Sequence, residues 1–429
     1  LMVPQSGPVD YAALIREVLD AGAGRSLPAA ELPRLRRIVL TAPGEVPGAT
    51  AWEDFQACAA GVSPQRLAER AARVDPDGTA FICHTAGTTG SPKGVMLSHR
   101  MIRLGMERAA VMGITHADVL LNYLPIFHSY SLGFLVLHSV LTGAKQVLME
   151  KFDAEDALRL IAAERVSALH GFDTHFRELI AARRLHPELA VGSLRFAVAV
   201  AGLDNAVETV QDTNQELCPT LSAFGMSETA TAVTMTFLDA TAEQRTHASG
   251  FPLPGVELRV VDPASGRDLP VGEPGEILVR YYGLMLGYYR QPDATREALD
   301  GEGWLHTGDM GCLRPDGYLR FLGRFKDMLK VGGENVSPAE IEQLLLRMPG
   351  IAQAAVVGCP DPRLQEVPAA FVVAQAGAAL RPDEVEAFCR GKLAGYKVPR
   401  RVILVDALPM TTEGKVLKSA LRERCRAGL

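Results

Sequence analysis

The sequence predicts an α/β protein with a large N-terminal domain of helix-covered β-sheets, a small barrel-like β section within it, and a small α+β C-terminal domain. Three changes of pattern along the chain predict this order. Apolar β-rich runs alternate with helical patterns from residue 79, short strands punctuated by Gly and Pro follow residue 250, and a mixed pattern begins at Asp327. The 429 residues, of which 48% are hydrophobic, suffice for two or three domains with at least one large core.

The apolar runs of the first section predict strands that are buried on both faces, because several of them lack polar alternation. They are Thr79–Thr85, Val119–Leu124, Gln146–Met149, Ser167–Phe172, Phe196–Ala201 and Leu221–Phe224. Between them a helix is predicted at Asp153–Arg165, where Ala154, Leu158 and Ile161 fall on one face. The alternation of strand and helix predicts right-handed crossovers and a parallel sheet covered on both sides.

Short strands dominate the section after residue 250. Val256–Val261, Glu276–Tyr281 and Gly317–Leu322 predict antiparallel or barrel-like pairing. A helix is then predicted at Pro338–Met348, with Ser337 as N-cap and Glu340 at N3 of a capping box. Strands and a further helix complete an α+β unit of about 100 residues, a size that can fold alone. These remaining elements are Ala354–Gly358, Ala370–Val373 and Asp383–Leu393.

Composition excludes several classes of protein. The 44 basic and 50 acidic residues are interspersed and give a net charge of −6, which argues against nucleic-acid binding. Seven scattered cysteines without a Cys-x-x-Cys pair are typical of reduced thiols in the cytoplasm. No apolar run approaches the roughly 18 residues of a membrane span, so we expect a soluble protein. Because Leu1 begins in what reads as mid-domain sequence, we expect the natural N-terminus to lie upstream, which leaves a targeting signal open.

The segment Thr85-Ala86-Gly87-Thr88-Thr89-Gly90-Ser91-Pro92-Lys93-Gly94-Val95 directly follows a predicted strand. Its glycines, hydroxyls and single lysine can wrap a phosphate chain with backbone N–H groups, side-chain donors and one mobile positive charge. It is not a Walker A loop, because Pro92 precedes Lys93 and Gly94 follows it. The alternative is an ordinary Gly/Thr-rich turn.

Five more segments follow in order: Pro125–His128, Phe224–Thr229, Gly303–Asp309, Gly323–Asp327 and Thr412–Lys415. Together with the loop at Thr85 they resemble the core motifs of the adenylate-forming superfamily, which includes acyl-CoA synthetases, adenylation domains of peptide synthetases and luciferases. The resemblance covers residues 81 to 421. It implies that a carboxylate attacks the α-phosphate of ATP, expels pyrophosphate and is held as an acyl-adenylate.

The resemblance also implies a role for each residue of the nucleotide site. The loop residues that would bind the β- and γ-phosphates are Thr85, Gly87, Thr88, Thr89, Gly90 and Lys93. Glu228, together with Thr85, would carry Mg²⁺, a hard cation that prefers oxygen ligands. Phe224 would stack on the adenine in a pocket lined by Gly202, Ala223 and Gly225, and Ser227 keeps a hydroxyl where Thr is common. Asp309 would accept hydrogen bonds from both ribose hydroxyls, and Arg324 would donate to the same ribose.

The C-terminal residues imply a second set of roles. Lys415 would reach the active site and bridge the substrate carboxylate and the nucleotide during adenylation. Lys326 marks the hinge, which places the domains at 1–325 and 326–429 and makes the smaller one a mobile lid. After the swing, Gly332 and Gly333 would leave a path for the pantetheine arm of coenzyme A, and Lys330 would assist the thioester step.

His128 separates this chain from the amino-acid-activating members, which carry an Asp at that position to pair with the substrate ammonium. A plain carboxylic acid, fatty or aromatic, is therefore expected. By the resemblance His128 also acts at the junction of the acyl pocket and the thiol tunnel. Asp173 and His175 either give the acyl pocket a polar feature or cap the helix that begins there.

Three alternatives stay open at this stage. The acceptor is expected to be coenzyme A, and the runner-up is the phosphopantetheine of a carrier protein. Only 84 residues precede Thr85, whereas relatives have a further subdomain there, so a nucleotide-binding fragment or pseudoenzyme is the alternative of a different class. Intact Lys93, Glu228, Asp309 and Lys415 argue against a decayed enzyme. The sequence thus predicts an ATP-dependent acid–thiol ligase that uses Mg²⁺ and coenzyme A, of unspecified oligomeric state.

Overall fold

The computed structural model describes residues 1–6, 9–20, 34–46, 48–85, 92–199, 207–332, 334–410 and 416–427. The chain divides into two units, residues 1–75 and residues 76–429. Within the described ranges, no helix has the length and the hydropathy that a membrane crossing requires.

The first unit is small and has its own apolar cluster. Its strands form two short pairs: Gln5–Ser6 with Val9–Asp10, and Val39–Leu40 with Thr50–Ala51. Its helices are Tyr11–Asp20, Trp52–Ala57, the 3₁₀ turn Cys58–Gly61 and Pro64–Ala71. Ala12 and Leu19 of the first helix pack against Ile38, Leu40 and Val46.

A seven-stranded sheet forms the centre of the second unit. In spatial order its strands are Phe251–Pro252, Ala232–Met235, Thr220–Gly225, Phe196–Ala199, Ala168–Gly171, Val119–Asn122 and Lys145–Leu148. The last five are mutually parallel, and the first two are antiparallel additions at one edge. The predicted parallel sheet is therefore confirmed for all of its strands except Thr79–Thr85.

Helices join and cover the parallel strands. They are Met101–Val111, Ser129–Ser131 with the π-helical turn Leu132–Val136 and Leu137–Thr142, Ala154–Glu164, Asp173–Leu185, Val207–Glu216 and Ala242–His247. The helix predicted at Asp153–Arg165 is confirmed as Ala154–Glu164. The Asp153 carboxylate caps this helix by accepting from the Asp156 amide at 3.0 Å. Its Leu158 and Ile161 are fully buried, as their spacing predicted.

Two histidines lie inside this sheet and helix layer without hydrogen-bond partners among the described residues. Both ring nitrogens of His138 and of His170 are buried and unpaired there. Phe134 lies between them, with ring centroids 5.5 Å and 5.6 Å away. Burial lowers the pKa of His138 to about 3 and holds the pKa of His170 well below its usual range, so both rings are neutral at pH 7.

Thr79–Thr85 forms a hairpin with Lys93–Ser98 instead of joining the parallel sheet. The short strand Gly287–Tyr288 pairs with the outer side of Lys93–Ser98, opposite Val95 and Met96. The predicted strand is thus correct in its bounds and wrong in its partner. The reason is that Lys93–Ser98 follows closely enough for antiparallel pairing, which needs no crossover helix.

A four-stranded antiparallel sheet follows, as the Gly/Pro-rich texture predicted. Its strands in spatial order are Glu257–Val261, Gly275–Arg280, Leu305–Leu313 and Leu319–Arg324, and the helix Pro292–Ala298 lies between the second and third in sequence. Ile277, Val279 and Leu305 bury their side chains in the same cluster as Cys83 and Phe224. This sheet is thereby packed on the hairpin.

The C-terminal section has its own sheet and two apolar clusters, whose members all come from residues 329–425. Its strands are Glu334–Val336, Leu329–Val331, Gln365–Ala374, Ile351–Asp361 and Arg401–Leu404, and its helices are Pro338–Leu346, Pro382–Cys389 and Lys418–Arg426. The 3₁₀ turn Phe325–Asp327 precedes it.

The capping box predicted at Ser337 is wrong, although the helix begins at Pro338 as expected. The Ser337 side chain makes no capping hydrogen bond. The Glu340 carboxylate instead accepts from the Lys397 ammonium at 2.7 Å and 2.8 Å. The lysine ammonium carries a full positive charge, whereas a backbone amide offers only a partial one, so the carboxylate pairs with the lysine and not with the cap.

Candidate active site

The strand Thr220–Gly225 ends in a tight loop that carries Glu228. The register shifts between Phe224 and Gly225, and a Cβ on Gly225 would lie 2.5 Å from the Thr231 carbonyl oxygen, so only glycine fits. Ser227–Thr229 then forms a 3₁₀ turn, and Ala230 has a φ of 55°, which is costly for a residue with a side chain. The loop is held in one strained conformation.

Hydrogen bonds from other elements hold this loop in place. The Tyr281 hydroxyl donates to the Thr229 carbonyl oxygen, and the Met285 amide donates to the Glu228 carbonyl oxygen at 2.8 Å. Buried Arg108 donates from Nε and Nη2 to the Ala232 carbonyl oxygen at 3.2 Å and 3.0 Å. None of these supports was identified from the sequence, in which Tyr281 was predicted only as the end of a strand.

Glu228 is 7% exposed, and its carboxylate is held on one side. The Tyr288 hydroxyl donates to Oε1 at 2.8 Å. Burial, and secondarily the Glu228 carboxylate, raise the pKa of Tyr288, so the phenol stays protonated and acts as a donor at neutral pH. Sequence reasoning missed Tyr288, and the Gly287-Tyr288-Tyr289 triplet was the available signal.

The hairpin brings Lys93, the lysine of the predicted phosphate loop, to the same place. Lys93 Nζ lies 4.7 Å from the centre of the Tyr288 ring, a cation–π distance. Cys83 Sγ lies 3.9 Å from Ser227 Oγ, and Thr85 is on the same face of its strand two residues later. The hairpin face that carries Thr85 therefore adjoins the Glu228 loop. Gly87, Thr88, Thr89 and Gly90 lie outside the described residues.

The group of residues expected at the adenine is partly in view. Phe224 and Ala223 are buried, and the Phe224 ring packs against Phe321 at 5.4 Å between centroids with a 36° tilt. Phe321 comes from the four-stranded sheet, and its contact with Phe224 was not predicted from the sequence. Gly202 lies outside the described residues.

Asp309 and Arg324, expected together at the ribose, are cross-strand neighbours in the four-stranded sheet. Arg324 Nε lies 3.2 Å from Asp309 Oδ1. The Asp309 carboxylate is almost fully buried, whereas the Arg324 side chain is 42% exposed. A buried, oriented carboxylate beside an accessible guanidinium is suited to two vicinal hydroxyls, which need both acceptors and donors.

His128 caps the short helix Ser129–Ser131. Its Nδ1 accepts from the Tyr130 amide at 3.2 Å, so the neutral ring carries its proton on Nε2. The next residue, Ser129, has its hydroxyl 3.4 Å from the Ser227 hydroxyl, which places this segment against the Glu228 loop. The ring of the preceding Phe127 is 62% exposed.

The first turn of the helix Asp173–Leu185 bears on whether Asp173 and His175 cap this helix or give the acyl pocket a polar feature. His175 Nδ1 accepts from the Phe172 amide at 3.1 Å, which is a capping contact. Asp173 Oδ2 accepts from Arg177 Nε at 2.6 Å. Both side chains therefore serve the helix start, while Asp173 Oδ1 is buried without a partner among the described residues.

Of the residues predicted in the C-terminal section, Lys330, Gly332 and Lys326 are described. Lys330 is exposed, its amide donates to Glu366 Oε2 at 3.1 Å, and within the described ranges its ammonium has no polar contact with the Glu228 site. Gly332 has a φ of +60°, the turn conformation that favours glycine. The backbone of Lys326 lies in the 3₁₀ turn Phe325–Asp327. Gly333 and Lys415 lie outside the described residues.

The described donors fit a hard divalent cation. Glu228 Oε1 is occupied by Tyr288, and Oε2 has no hydrogen bond or ion pair with any other described residue. The Thr85 hydroxyl lies on the adjoining hairpin, 3.5 Å from the Lys93 carbonyl oxygen. A carboxylate oxygen with a hydroxyl nearby is the type of oxygen ligation that Mg²⁺ takes alongside water and phosphate.

Comparisons with known proteins identify the family of the chain. The family model described as AMP-binding enzyme matches residues 13–289, and that of the AMP-binding enzyme C-terminal domain matches residues 340–415. The chain belongs to the AMP-binding enzyme family. It is an ATP-dependent, AMP-forming acid–thiol ligase whose substrates are a carboxylic acid, ATP and coenzyme A, with Mg²⁺ as the metal cofactor.

Relatives of the family are similar over most of the chain. A methyl-dioxo-octahydro-indenyl-propanoyl:CoA ligase of Rhodococcus jostii is 38% identical over 399 residues, 92% of this chain and 74% of its own length. A 4-coumarate–CoA ligase of Nicotiana tabacum is 35% identical over 83% of this chain and 67% of its own. ATP-bound MatB from Rhodopseudomonas palustris superimposes with a TM-score of 0.75 at 32% identity, covering 87% of this chain and 77% of that one.

Proposed function

We propose that adenylation takes place beside Glu228, with Lys93 on the phosphates and Asp309 and Arg324 on the ribose. The observation that carries this proposal is the arrangement around Tyr288, where one ring contacts both the Lys93 ammonium and the Glu228 carboxylate. A cation and a half-occupied carboxylate at one point suit a polyphosphate with its metal. The hydroxyls and amides of Thr85, Gly87, Thr88, Thr89 and Gly90 complete the phosphate site by the family resemblance.

The chemistry follows from these placements. A carboxylate oxygen of the acid attacks the α-phosphorus of ATP, the bond to the β-phosphate oxygen breaks, and pyrophosphate leaves with that electron pair. When bound, Mg²⁺ neutralises charge on the phosphate oxygens. Lys93 and Lys415 add positive charge at the transferring group, and the ribose contacts of Asp309 orient the α-phosphorus toward the acid. Phe224, Ala223, Gly225 and Gly202 hold the adenine.

We propose that the acid bears a ring and lacks an α-ammonium group. Tyr130, whose amide donates to His128 Nδ1, has its ring centroid 5.6 Å from that of Phe172. Aromatic side chains favour ring-shaped ligands through stacking and edge contacts. His128 provides no negative charge for an ammonium group. The acids for which the Rhodococcus and Nicotiana relatives are named bear rings. A straight-chain fatty acid is the second candidate.

For the thioester step we propose two domains, 1–325 and 326–429, that rotate about Lys326. Among the residues that the structure describes, the apolar clusters of residues 329–425 include none from the larger part, which is what a separately moving lid requires. In the second orientation Lys415 leaves, and Lys330 with Gly332 and Gly333 borders the path of the pantetheine thiol, which His128 gates. Coenzyme A is the proposed acceptor over a carrier protein, and the seven free cysteines favour the cytoplasm.

The test is acid-dependent exchange of labelled pyrophosphate into ATP by the full chain, without coenzyme A. A panel should pair each aromatic or alicyclic acid with a fatty acid and an amino acid of similar size. Exchange with the ring-bearing acids, at least tenfold above the others, is the expected result. Preference for fatty acids would refute the acid class alone. Retained ATP binding with no exchange for any acid would refute adenylation by this chain and favour a non-catalytic nucleotide-binding protein.

A further inference from the structure

Tyr288 contacts Glu228, but it is not among the residues to which the family resemblance assigns a role. It lies on the short strand Gly287–Tyr288, 60 residues after Glu228, and its side chain is 8% exposed. Its hydroxyl donates to Glu228 Oε1 at 2.8 Å, and its ring faces Lys93 Nζ at 4.7 Å. One side chain therefore contacts both the expected metal ligand and the expected phosphate cation.

The backbone around Tyr288 fixes its position from three sides. The strand pairs with Lys93–Ser98, so that Tyr288 lies opposite Val95. The Tyr288 amide donates to Thr295 Oγ1 at 2.9 Å. Gly287 has a φ of 135° and no room for a Cβ, which would lie 2.7 Å from the Thr295 methyl carbon. The ring thus has little freedom, which is what a support for another side chain requires.

The hydrogen bond to Oε1 has a specific consequence for Glu228. A carboxylate has two oxygens that can rotate about one bond, and Tyr288 fixes which one faces the protein. Oε2 is then presented with no competing partner among the described residues.

We propose that Tyr288 is a positioning residue for the metal–phosphate site, whose hydroxyl orients the Glu228 carboxylate toward Mg²⁺ and whose ring holds Lys93 beside it. This inference rests on the proposed role of Glu228 at the metal. It predicts two separable effects: the hydroxyl governs the response to Mg²⁺, and the ring governs metal-free affinity for ATP through Lys93.

The experiment measures the ATP dissociation constant by calorimetry, with Mg²⁺ and with a chelator, and the half-saturating Mg²⁺ concentration in pyrophosphate exchange. Tyr288→Phe removes the hydroxyl and keeps the ring. We expect about a tenfold rise in half-saturating Mg²⁺ and a similar loss of the Mg²⁺-dependent gain in ATP affinity, the size of one charge-assisted hydrogen bond. Metal-free ATP affinity should stay within about twofold of the native value. Tyr288→Leu should in addition weaken metal-free ATP binding.

Tyr289→Phe is the matched control, because it removes a hydroxyl from the adjacent, half-exposed ring that contacts Arg290. Equal Mg²⁺ dependence in Tyr288→Phe and Tyr289→Phe would overturn the inference. So would a loss of ATP affinity in Tyr288→Phe that is the same with and without Mg²⁺, since that indicates a merely structural role. A thermal melt of each variant confirms that the fold is retained.

Glu228→Gln separates this inference from the function on which it rests. If Glu228→Gln abolishes the Mg²⁺-dependent gain and adding Tyr288→Phe to it changes nothing further, Tyr288 acts through Glu228. If Glu228→Gln leaves the Mg²⁺ dependence at the native value, the proposed metal role of Glu228 is wrong. If only Tyr288→Phe is without effect, the proposed function stands and the positioning role is wrong.

Discussion

The nucleotide part and the C-terminal part of this enzyme hold the side chains that are proposed to act in the reaction in opposite ways. Glu228 and Asp309 are buried, and each has a partner from another element: Tyr288 for the first and Arg324 for the second. Lys330, in contrast, is exposed on a short strand that ends at the turn glycine Gly332. One part is preorganised, and the other presents its lysine to solvent.

This difference corresponds to when each group is needed. Residues that bind ATP serve from the first step, so fixing them in advance avoids an ordering cost during the reaction. Residues proposed to act in only one half-reaction must leave the site in the other, so buried, interlocked contacts would oppose them. The ion pair of Asp327 with Arg422, 2.5 Å between oxygen and nitrogen, ties the start of the C-terminal part to its own last helix.

The largest effect is expected from separating the two half-reactions with Lys415→Ala and Lys330→Ala. Lys415→Ala should slow adenylation by about 10²- to 10³-fold, the usual loss for one preorganised charge, and should spare thioester formation from a supplied acyl-adenylate. Lys330→Ala should do the reverse. The checks are pyrophosphate exchange for the first half-reaction and thioester formation from purified acyl-adenylate for the second.

An equal loss of both half-reactions in Lys415→Ala would remove the functional distinction between the two parts. Lys392→Ala is the control, because this lysine contacts the Phe388 ring at 3.2 Å on the C-terminal domain and has no proposed role in either step. It should leave both rates within about twofold of the native enzyme.

A pH dependence of stability is expected from the two histidines buried in the seven-stranded sheet and the helices that cover it. Burial lowers the pKa of His138 to about 3, below the value of about 6.5 in the unfolded chain. The unfolded state therefore binds more protons between these values, so stability is complete above about pH 6.5 and falls as the pH drops below it. Each such histidine contributes about 1.4 kcal/mol per pH unit to the slope of the unfolding free energy against pH. His170 adds to it in the same direction.

Urea unfolding between about pH 6.5 and pH 5 measures this slope. His138→Phe keeps an aromatic ring beside Phe134 and should reduce the pH slope of the unfolding free energy by the contribution of one histidine. His116→Gln changes an exposed histidine and should leave the slope as in the native protein. A native slope that His138→Phe does not reduce would mean that His138 is protonated in the folded state.

The smallest effect is expected at Gln365 in the C-terminal sheet. Gln365 has a φ of 68°, a left-handed conformation that costs a residue with a side chain about 1–2 kcal/mol. Gln365→Gly should therefore stabilise this part by about 1 kcal/mol after the entropy cost of glycine. The same change at Gln353, an exposed residue of the neighbouring strand with extended pairing, should destabilise it. The thermal midpoints of the two variants should move in opposite directions.

Local patterns predicted most of the elements correctly. The bounds of Thr79–Thr85 match those predicted, and Leu158 and Ile161 are buried on the face that their spacing indicated. Such features depend on neighbours within a few residues, which the sequence displays directly. The family motifs predicted Asp309 and Arg324 together, and the register of one antiparallel pair places them opposite each other.

Contacts between distant segments could not be predicted in this way. Tyr288 and Glu228, 60 residues apart, meet only because the strand Gly287–Tyr288 adds to the hairpin beside the Glu228 loop. Glu340 does not make its predicted capping contact, because its carboxylate accepts from Lys397, 57 residues away. The sequence by itself determined the fold class, the order of elements and the residue types of the site. Only the tertiary structure decided which carboxylate oxygen, ring and cation face one another, because those contacts depend on sheet pairing and not on spacing along the chain.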